Sequence, residues 1–304
     1  MPLAVITLAF DPTFRAGPVA VRWETLGLAV AFAAALLVAA MAARISGRRA
    51  GLSRLRQDDL LYLVLASVPG AVLGGRLLTG LTYIDYYRGH LAALADPAQG
   101  TLSLLGAVLG GTISAAYMAR LLGVPTRRWL DALAVPLLVA ISLGRVAYLL
   151  GGGGQGATHQ GAVSLAFAGP GPWLSPGALV PAYPSQLLEA AWAALGIPLL
   201  LLLATARVQR RLPLRLRQEG AWLAARWARG AEVDPERLRF GYLYLASLGW
   251  WLVGRVLVAF TWRDPAAIGV LNADQLESIA ALVAVGLLAA WWARAGRAPA
   301  AARG

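Results

Sequence analysis

The stretch DALAVPLLVAISLGRVAYLLGG (131–152) carries one charge, Arg145, after its opening aspartate. At ~1.5 Å rise per residue, about 20 such residues cross the ~30 Å hydrocarbon core of a bilayer. The run therefore predicts a membrane span over 129–151, and six others meet the same test at 20–43, 59–80, 101–122, 186–205, 239–261 and 276–293. The composition agrees: of 304 residues, 59% are hydrophobic and 14% charged, with a mean hydropathy of +0.63. A soluble domain runs nearer half apolar and a quarter charged. The expectation is an all-α integral membrane protein, a bundle of seven transmembrane helices forming a single polytopic domain over 1–304. The opening MPLAVITLAF has neither the basic start nor the small-residue cleavage site of a secretory signal. No internal repeat is present, which speaks against a transporter.

The formal net charge is +12 and the isoelectric point about 11.1, values that ordinarily raise nucleic acid as a partner. Position gives the charge another meaning. All 27 basic residues are arginine, and 20 of them lie in alternate connections: Arg44 to Arg56, Arg120 to Arg128, Arg207 to Arg239, and the tail from Arg294. Only Arg15, Arg88 and Arg263 fall on the other side. By the positive-inside rule the crowded side is cytoplasmic, which places the N-terminus out and the C-terminus in. The basic 206–239 loop, with WLAARWAR around Trp222 and Trp227, reads as an interfacial segment against the anionic leaflet. Membrane lipids, and no nucleic acid, are the partners expected from this pattern.

Four arginines remain within or at the edge of spans: Arg22, Arg76, Arg145 and Arg255. A guanidinium near a helix centre costs at least ~2.5–3.5 kcal/mol on insertion scales, so it faces the interior and usually serves function. All four fall in the outer half of their spans, where Glu24, Glu189 and Glu277 also lie. Three readings stay open: structural ion pairs, arginines that snorkel to the outer headgroups, or a site for an anion such as a lipid phosphate, which arginine binds bidentately. Four positive charges against three negative ones leave at least one arginine for an anion.

The connection GGGGQGATHQG (151–161) has no fixed charge and reads as a flexible cover over that site. It lacks the Lys and Ser/Thr of a phosphate-binding P-loop. His90 and His159 read as solvated loop residues, too few and too far apart for a metal site. The chain has no cysteine, which excludes disulfides and a cysteine nucleophile of its own. No metal and no organic cofactor are expected.

Around these charges the motifs resemble those of the prolipoprotein diacylglyceryl transferase family. DPTFRAGPVAVRWETLG (11–27) is similar to an opening in which Gly-Pro precedes Ile-Arg-Trp-Tyr-Gly-Leu. LGGRLLTGL with DYY (73–87), GTLSLLGAVLGG (100–111), DALAVPLLVAISLGRVAYLLGG (131–152), YPSQLLEA (183–190), GRVLVAFTWRD (254–264) and LNADQLESI (271–279) follow in family order. Individually these are weak; in order and at family spacing they are specific. The resemblance implies an enzyme of the bacterial inner membrane that moves diacylglycerol from phosphatidylglycerol to the lipobox cysteine of a prolipoprotein and releases glycerol phosphate. It implies catalytic and phosphate-binding roles for Arg145 and Arg255, and it aligns Arg22, Arg76, Gln186, Glu189 and Gln275 with motif positions.

The departures from the family pattern are specific. The third-span His falls on Leu105, the first-motif Tyr on Glu24, and the Asn after the signature Arg on Tyr148. The Gly-Glu end falls on Gly152 and Gly153. In span six the Tyr before the Arg becomes Trp251 and the Glu after it becomes Ala259. Phosphate-binding charge is kept while proton-transfer chemistry is thinned, with Glu24 or Glu189 as the substitute base. The resemblance thus leaves a divergent transferase, with substrate-side roles for Arg22, Glu24, Arg76, Gln186 and Gln275, or a non-catalytic paralogue that binds phosphatidylglycerol or lipoprotein precursor.

Overall fold

The computed structural model describes residues 5–46, 55–95, 102–174, 176–204 and 241–295. The expected interfacial helix around Trp222 and Trp227, and the 206–239 loop, lie outside the described residues.

Among the described residues, seven helices are long and apolar enough to span a membrane. They are α1 (Trp23–Ser46), α2 (Gln57–Thr82), α5 (Leu104–Leu121), α6 (Thr126–Leu150), α7 (Ser185–Ala204), α8 (Tyr242–Val258, extended by a 3-10 turn, Ala259–Thr261) and α9 (Ala273–Ala295). Two short helices, α3 (Ile84–Tyr87) and α4 (Leu91–Ala95), follow α2. Leucines such as Leu73, Leu77 and Leu287 are almost two-thirds exposed, a pattern costly in water and neutral against lipid tails. The chain is a multi-pass membrane protein, as its composition predicts.

Among the described residues there are six short strands that hydrophobic periodicity does not announce, three before α1, one between α6 and α7 and two between α8 and α9. β1 (Ile6–Ala9) pairs in parallel with β4 (Leu165–Ala168), while β2 (Thr13–Ala16) with β3 (Val19–Arg22), and β5 (Ala266–Ile268) with β6 (Leu271–Asn272), are antiparallel pairs. β3 takes Arg22 out of the helix: α1 begins at Trp23, so Arg22 is the residue before the span and Glu24 sits in its first turn.

Two compact units divide the chain, one of residues 39–132 and the other of 1–38 with 133–304. In the first, α2 and α5 meet through glycines. A Cβ on Gly74 would fall against the Gly106 carbonyl oxygen, and one on Gly106 or Gly110 against the carbonyls of Gly74 or Gly70. Both helices carry Gly-x-x-x-Gly, the spacing that lets backbones touch where lipid supplies no hydrophobic drive. Ser114 Oγ donates to Ala66 O at 2.7 Å across the same seam. Leu105, at the position of the family's histidine, is buried in this unit, and Arg76 is half-buried on α2.

In the second unit α7 and α8 are locked by two tryptophans. Trp192 and Trp250 stack with centroids 4.6 Å apart, and each indole N–H donates to the other's backbone carbonyl, at 2.7 and 2.8 Å. Gly254 and Gly196 leave the room those rings need. Where α6 ends and α7 begins, Leu149, Leu165 and Phe167 form a buried cluster with Leu8, Phe10, Trp173 and Leu187. The 151–156 segment lies against it. Instead of the open flexible cover expected from its glycines, Gly151, Gly152, Gly153 and Gln155 are buried. Gly156 N donates to Tyr183 O, Ala157 N to Thr261 O, and Gln155 Nε2 to Leu165 O. Trp173 and Tyr148 fill the space where side chains at 152–154 would stand.

Candidate functional site

The site begins with helical spacing. Gln186 and Glu189 lie one turn apart on α7, and Trp251 and Arg255 one turn apart on α8, so each pair shares a face. The tryptophan lock turns those faces toward each other. Trp251 Nε1 donates to Glu189 Oε1 at 3.2 Å, and Arg255 Nη1 stands 3.5 Å from the same oxygen. From α6, Arg145 Nη2 reaches Glu189 Oε2 at 2.8 Å. One carboxylate thus bridges two guanidinium groups. The side chains of Glu189 and Arg255 are only 2% and 4% exposed, whereas Arg145 keeps 17%.

Arg255 has a second acid that the sequence had not put there. Its Nη2 donates to both oxygens of Asp274, at 2.7 and 2.9 Å. The cause is the start of α9. Asn272 Oδ1 accepts from Gln275 N, and Gln275 Oε1 accepts from Asn272 N, each at 2.9 Å, a reciprocal capping box. The same two side chains tie α9 to the end of α8: Asn272 Nδ2 donates to Ala259 O and Gln275 Nε2 to Val256 O. Asp274, between the capping residues, is carried to Arg255. The Asn-x-x-Gln pattern in the sequence is the signal that would have started the last helix at 273 and brought Asp274 into the count. Two indoles complete the surroundings, with Arg255 Cζ 4.9 Å from the Trp262 ring centroid and 5.7 Å from that of Trp251.

Counting charges therefore gives a different result from the one expected. Arg22 contacts Glu24 at 3.2 Å and donates to Gly151 O at 2.8 Å, Arg145 contacts Glu189, and Arg255 contacts Glu189 and Asp274. Within this unit each of the three arginines already faces a carboxylate, so none is left for an anion by subtraction. What stays open is particular N–H groups: among the described residues the buried Nε of Arg145 and of Arg255 make no hydrogen bond.

The remaining expectations fare unevenly. Gln186 is 2% exposed, and among the described residues neither end of its carboxamide is hydrogen-bonded; it lies beside Gly154 and Tyr148. Gln275, expected on the substrate, spends its amide on the helix cap and on Val256 O. Glu189, considered as a base, has one oxygen on Arg145 and the other on Trp251 and Arg255, which suits a clamp better than a proton acceptor. Glu24 is engaged by Arg22. Arg76 belongs to the 39–132 unit. Asp264, an exposed residue just past the helix that carries Arg255, has its carboxyl held above the usual aspartate range, first by partial desolvation and then by the neighbouring charge of Asp274.

The model of the family described as prolipoprotein diacylglyceryl transferase matches residues 12–292. A phosphatidylglycerol–prolipoprotein diacylglyceryl transferase of Oleidesulfovibrio alaskensis is 30% identical over 82% of this chain and 88% of its own length. One of Dechloromonas aromatica is 28% identical over 84% of the chain and 96% of its own length. With that of Acaryochloris marina, identity is 31% over 47% of this chain, and the match spans about half, 49%, of that relative. On this match, across nearly its whole length, the chain belongs to the prolipoprotein diacylglyceryl transferase family.

Proposed function

We propose that this protein transfers the diacylglyceryl group of phosphatidylglycerol to the lipobox cysteine of prolipoproteins, the first step of their maturation. The observation that carries the reading is the buried Arg145–Glu189–Arg255 bridge, in a chain of this family, at the two arginines its motifs single out. In the reaction the cysteine sulfur attacks the carbon of the diacylated glycerol that bears the phosphate. A carbon–sulfur bond forms, the carbon–oxygen bond breaks with its electron pair going to the phosphate, and glycerol phosphate leaves. The thiol proton passes to a base. The role of Arg145 and Arg255 is to hold the phosphodiester and stabilise the charge that grows on it as the bond breaks. Glu189 is a positioning residue that fixes both guanidinium groups. Gln186 offers an unbonded carboxamide to the polar part of a substrate, and Arg22, Glu24 and Arg76 are the further substrate-side candidates that the motifs supply. The protein sits in the bacterial inner membrane with its N-terminus outside and its C-terminus inside.

The purified protein, incubated with phosphatidylglycerol and a lipobox peptide, should raise the peptide's mass by one diacylglyceryl group. Arg145→Ala and Arg255→Ala should each abolish the gain, and Arg127→Ala should not. Absence of any gain under conditions that serve a typical family member would defeat the enzymatic reading, leaving binding alone. Equal tolerance of all three substitutions would defeat the choice of site.

A further inference from the structure

A guanidinium offers an oxyanion two bidentate edges, Nε with Nη2 and Nη1 with Nη2. Both contain Nη2. In this protein Nη2 of Arg255 is taken by Asp274, whose two oxygens lie 2.7 and 2.9 Å from it. Nη1 faces Glu189 at 3.5 Å, and Nε is unbonded among the described residues. With Asp274 in place, a carboxylate already stands at the nitrogen that both forks use, so an incoming anion meets it there on either edge. The two acids differ in their freedom. Glu189 is 2% exposed and also held by Arg145 and Trp251, whereas Asp274 is 24% exposed and stands on the first turn of α9. Its backbone is fixed by the Asn272–Gln275 cap, so the carboxylate can turn away without unwinding the helix.

From this geometry we infer that the Asp274 carboxylate occupies the place of a phosphodiester on Arg255 and is the group that a lipid phosphate displaces when it binds. The inference rests on the reading of Arg255 as a phosphate-binding residue. The exchange is chemically even: a phosphodiester and a carboxylate each carry one negative charge and present paired oxygens, so the charge around Arg255 and Arg145 is conserved. Asp274 moves toward the side on which it is already exposed, and Arg255 recovers its forks for the headgroup. When glycerol phosphate departs, the carboxylate returns and keeps the buried guanidinium paired.

The test compares the full-length protein with Asp274→Asn, which has the same shape and no charge. Dissociation constants for a short-chain phosphatidylglycerol and for free glycerol phosphate are measured by calorimetry in detergent, together with KM and kcat for transfer and the melting temperature. Removing the internal competitor should tighten both ligands about tenfold, the factor that ~1.4 kcal/mol represents, with a matching fall in KM. Tightening of phosphatidylglycerol alone assigns the exchange to the lipid, and equal tightening of both assigns it to the phosphate group itself. Asp274→Ser, a smaller neutral acceptor, carries the same expectation should the amide variant fail to fold. Unchanged or weaker binding in a folded variant overturns the exchange. An Arg255→Ala control separates the two layers. If Arg255→Ala binds phosphatidylglycerol as the parent does, the assignment of Arg255 is wrong; if it loses binding while Asp274→Asn gains none, only the exchange is wrong.

Discussion

Replacing Glu189 by glutamine removes one negative charge from between two arginines while keeping volume and shape. The amide oxygen can still accept from Trp251 Nε1, which now donates to Oε1 at 3.2 Å, so packing and that hydrogen bond stay nearly constant. The arginines fare differently. Arg255 keeps Asp274 at 2.7 Å, whereas Arg145 loses the carboxylate it meets at 2.8 Å while only 17% exposed. Removing one partner of a buried pair costs about 3–5 kcal/mol, because the other charge is left uncompensated. Partial exposure of Arg145 and the second acid on Arg255 put the expected loss near the lower bound, ~3 kcal/mol. Equilibrium unfolding in mixed detergent micelles measures it. Adding Arg145→Gln removes the orphaned charge, so the double variant should be more stable than the sum of the single losses by at least ~1 kcal/mol, as expected for directly coupled residues. A Glu189→Gln variant within ~0.5 kcal/mol of the parent, the range of an uninvolved surface change, refutes the clamp. So does strict additivity. Loss of kcat with stability untouched would instead return Glu189 to the role of base.

Gly74→Ala puts a methyl group against the Gly106 carbonyl oxygen at the α2–α5 seam, and overpacking of that kind costs typically ~1–3 kcal/mol; the melting temperature should fall, and a neutral result would mean the seam is looser than drawn. The raised carboxyl of Asp264 binds its proton more tightly in the folded chain than in the unfolded one. Its stabilising share is therefore full below the ordinary aspartate value of 3.8 and is lost as pH rises through the raised value. Asp264→Asn should flatten that part of the stability-versus-pH curve, and an unchanged curve would show that Asp264 does not titrate differently on folding.

The spans were legible because a bilayer imposes a length on each apolar run. The run expected at 129–151 is the helix Thr126–Leu150, and that expected at 276–293 lies within Ala273–Ala295. The strands were not, since β1 and β4 pair Ile6 with Leu165, and neither four-residue segment carries a signal of so distant a partner. The glycine run misled for a related reason. Its lack of side chains reads locally as freedom, but Tyr148 and Trp173 fill the vacated space and the segment is buried. At the site, motif order picked out Arg145, Glu189 and Arg255, which the fold joins in one bridge. It also picked out Gln275, which the fold uses as a cap.

Hydropathy alone determined a seven-span membrane protein with its arginines sorted between loops and helices, because burial in lipid is decided residue by residue along the chain. Which charge meets which was decided only in three dimensions. Asp274 lies 19 residues from Arg255 in sequence, and no period of a helix or strand relates them. Their ion pair exists because a capping box starts α9 at Ala273 and stitches that end to α8. The anion-binding capacity of Arg255 depends on that pair, because a buried guanidinium has few N–H groups to give and a neighbouring carboxylate stands at the nitrogen shared by both of its forks.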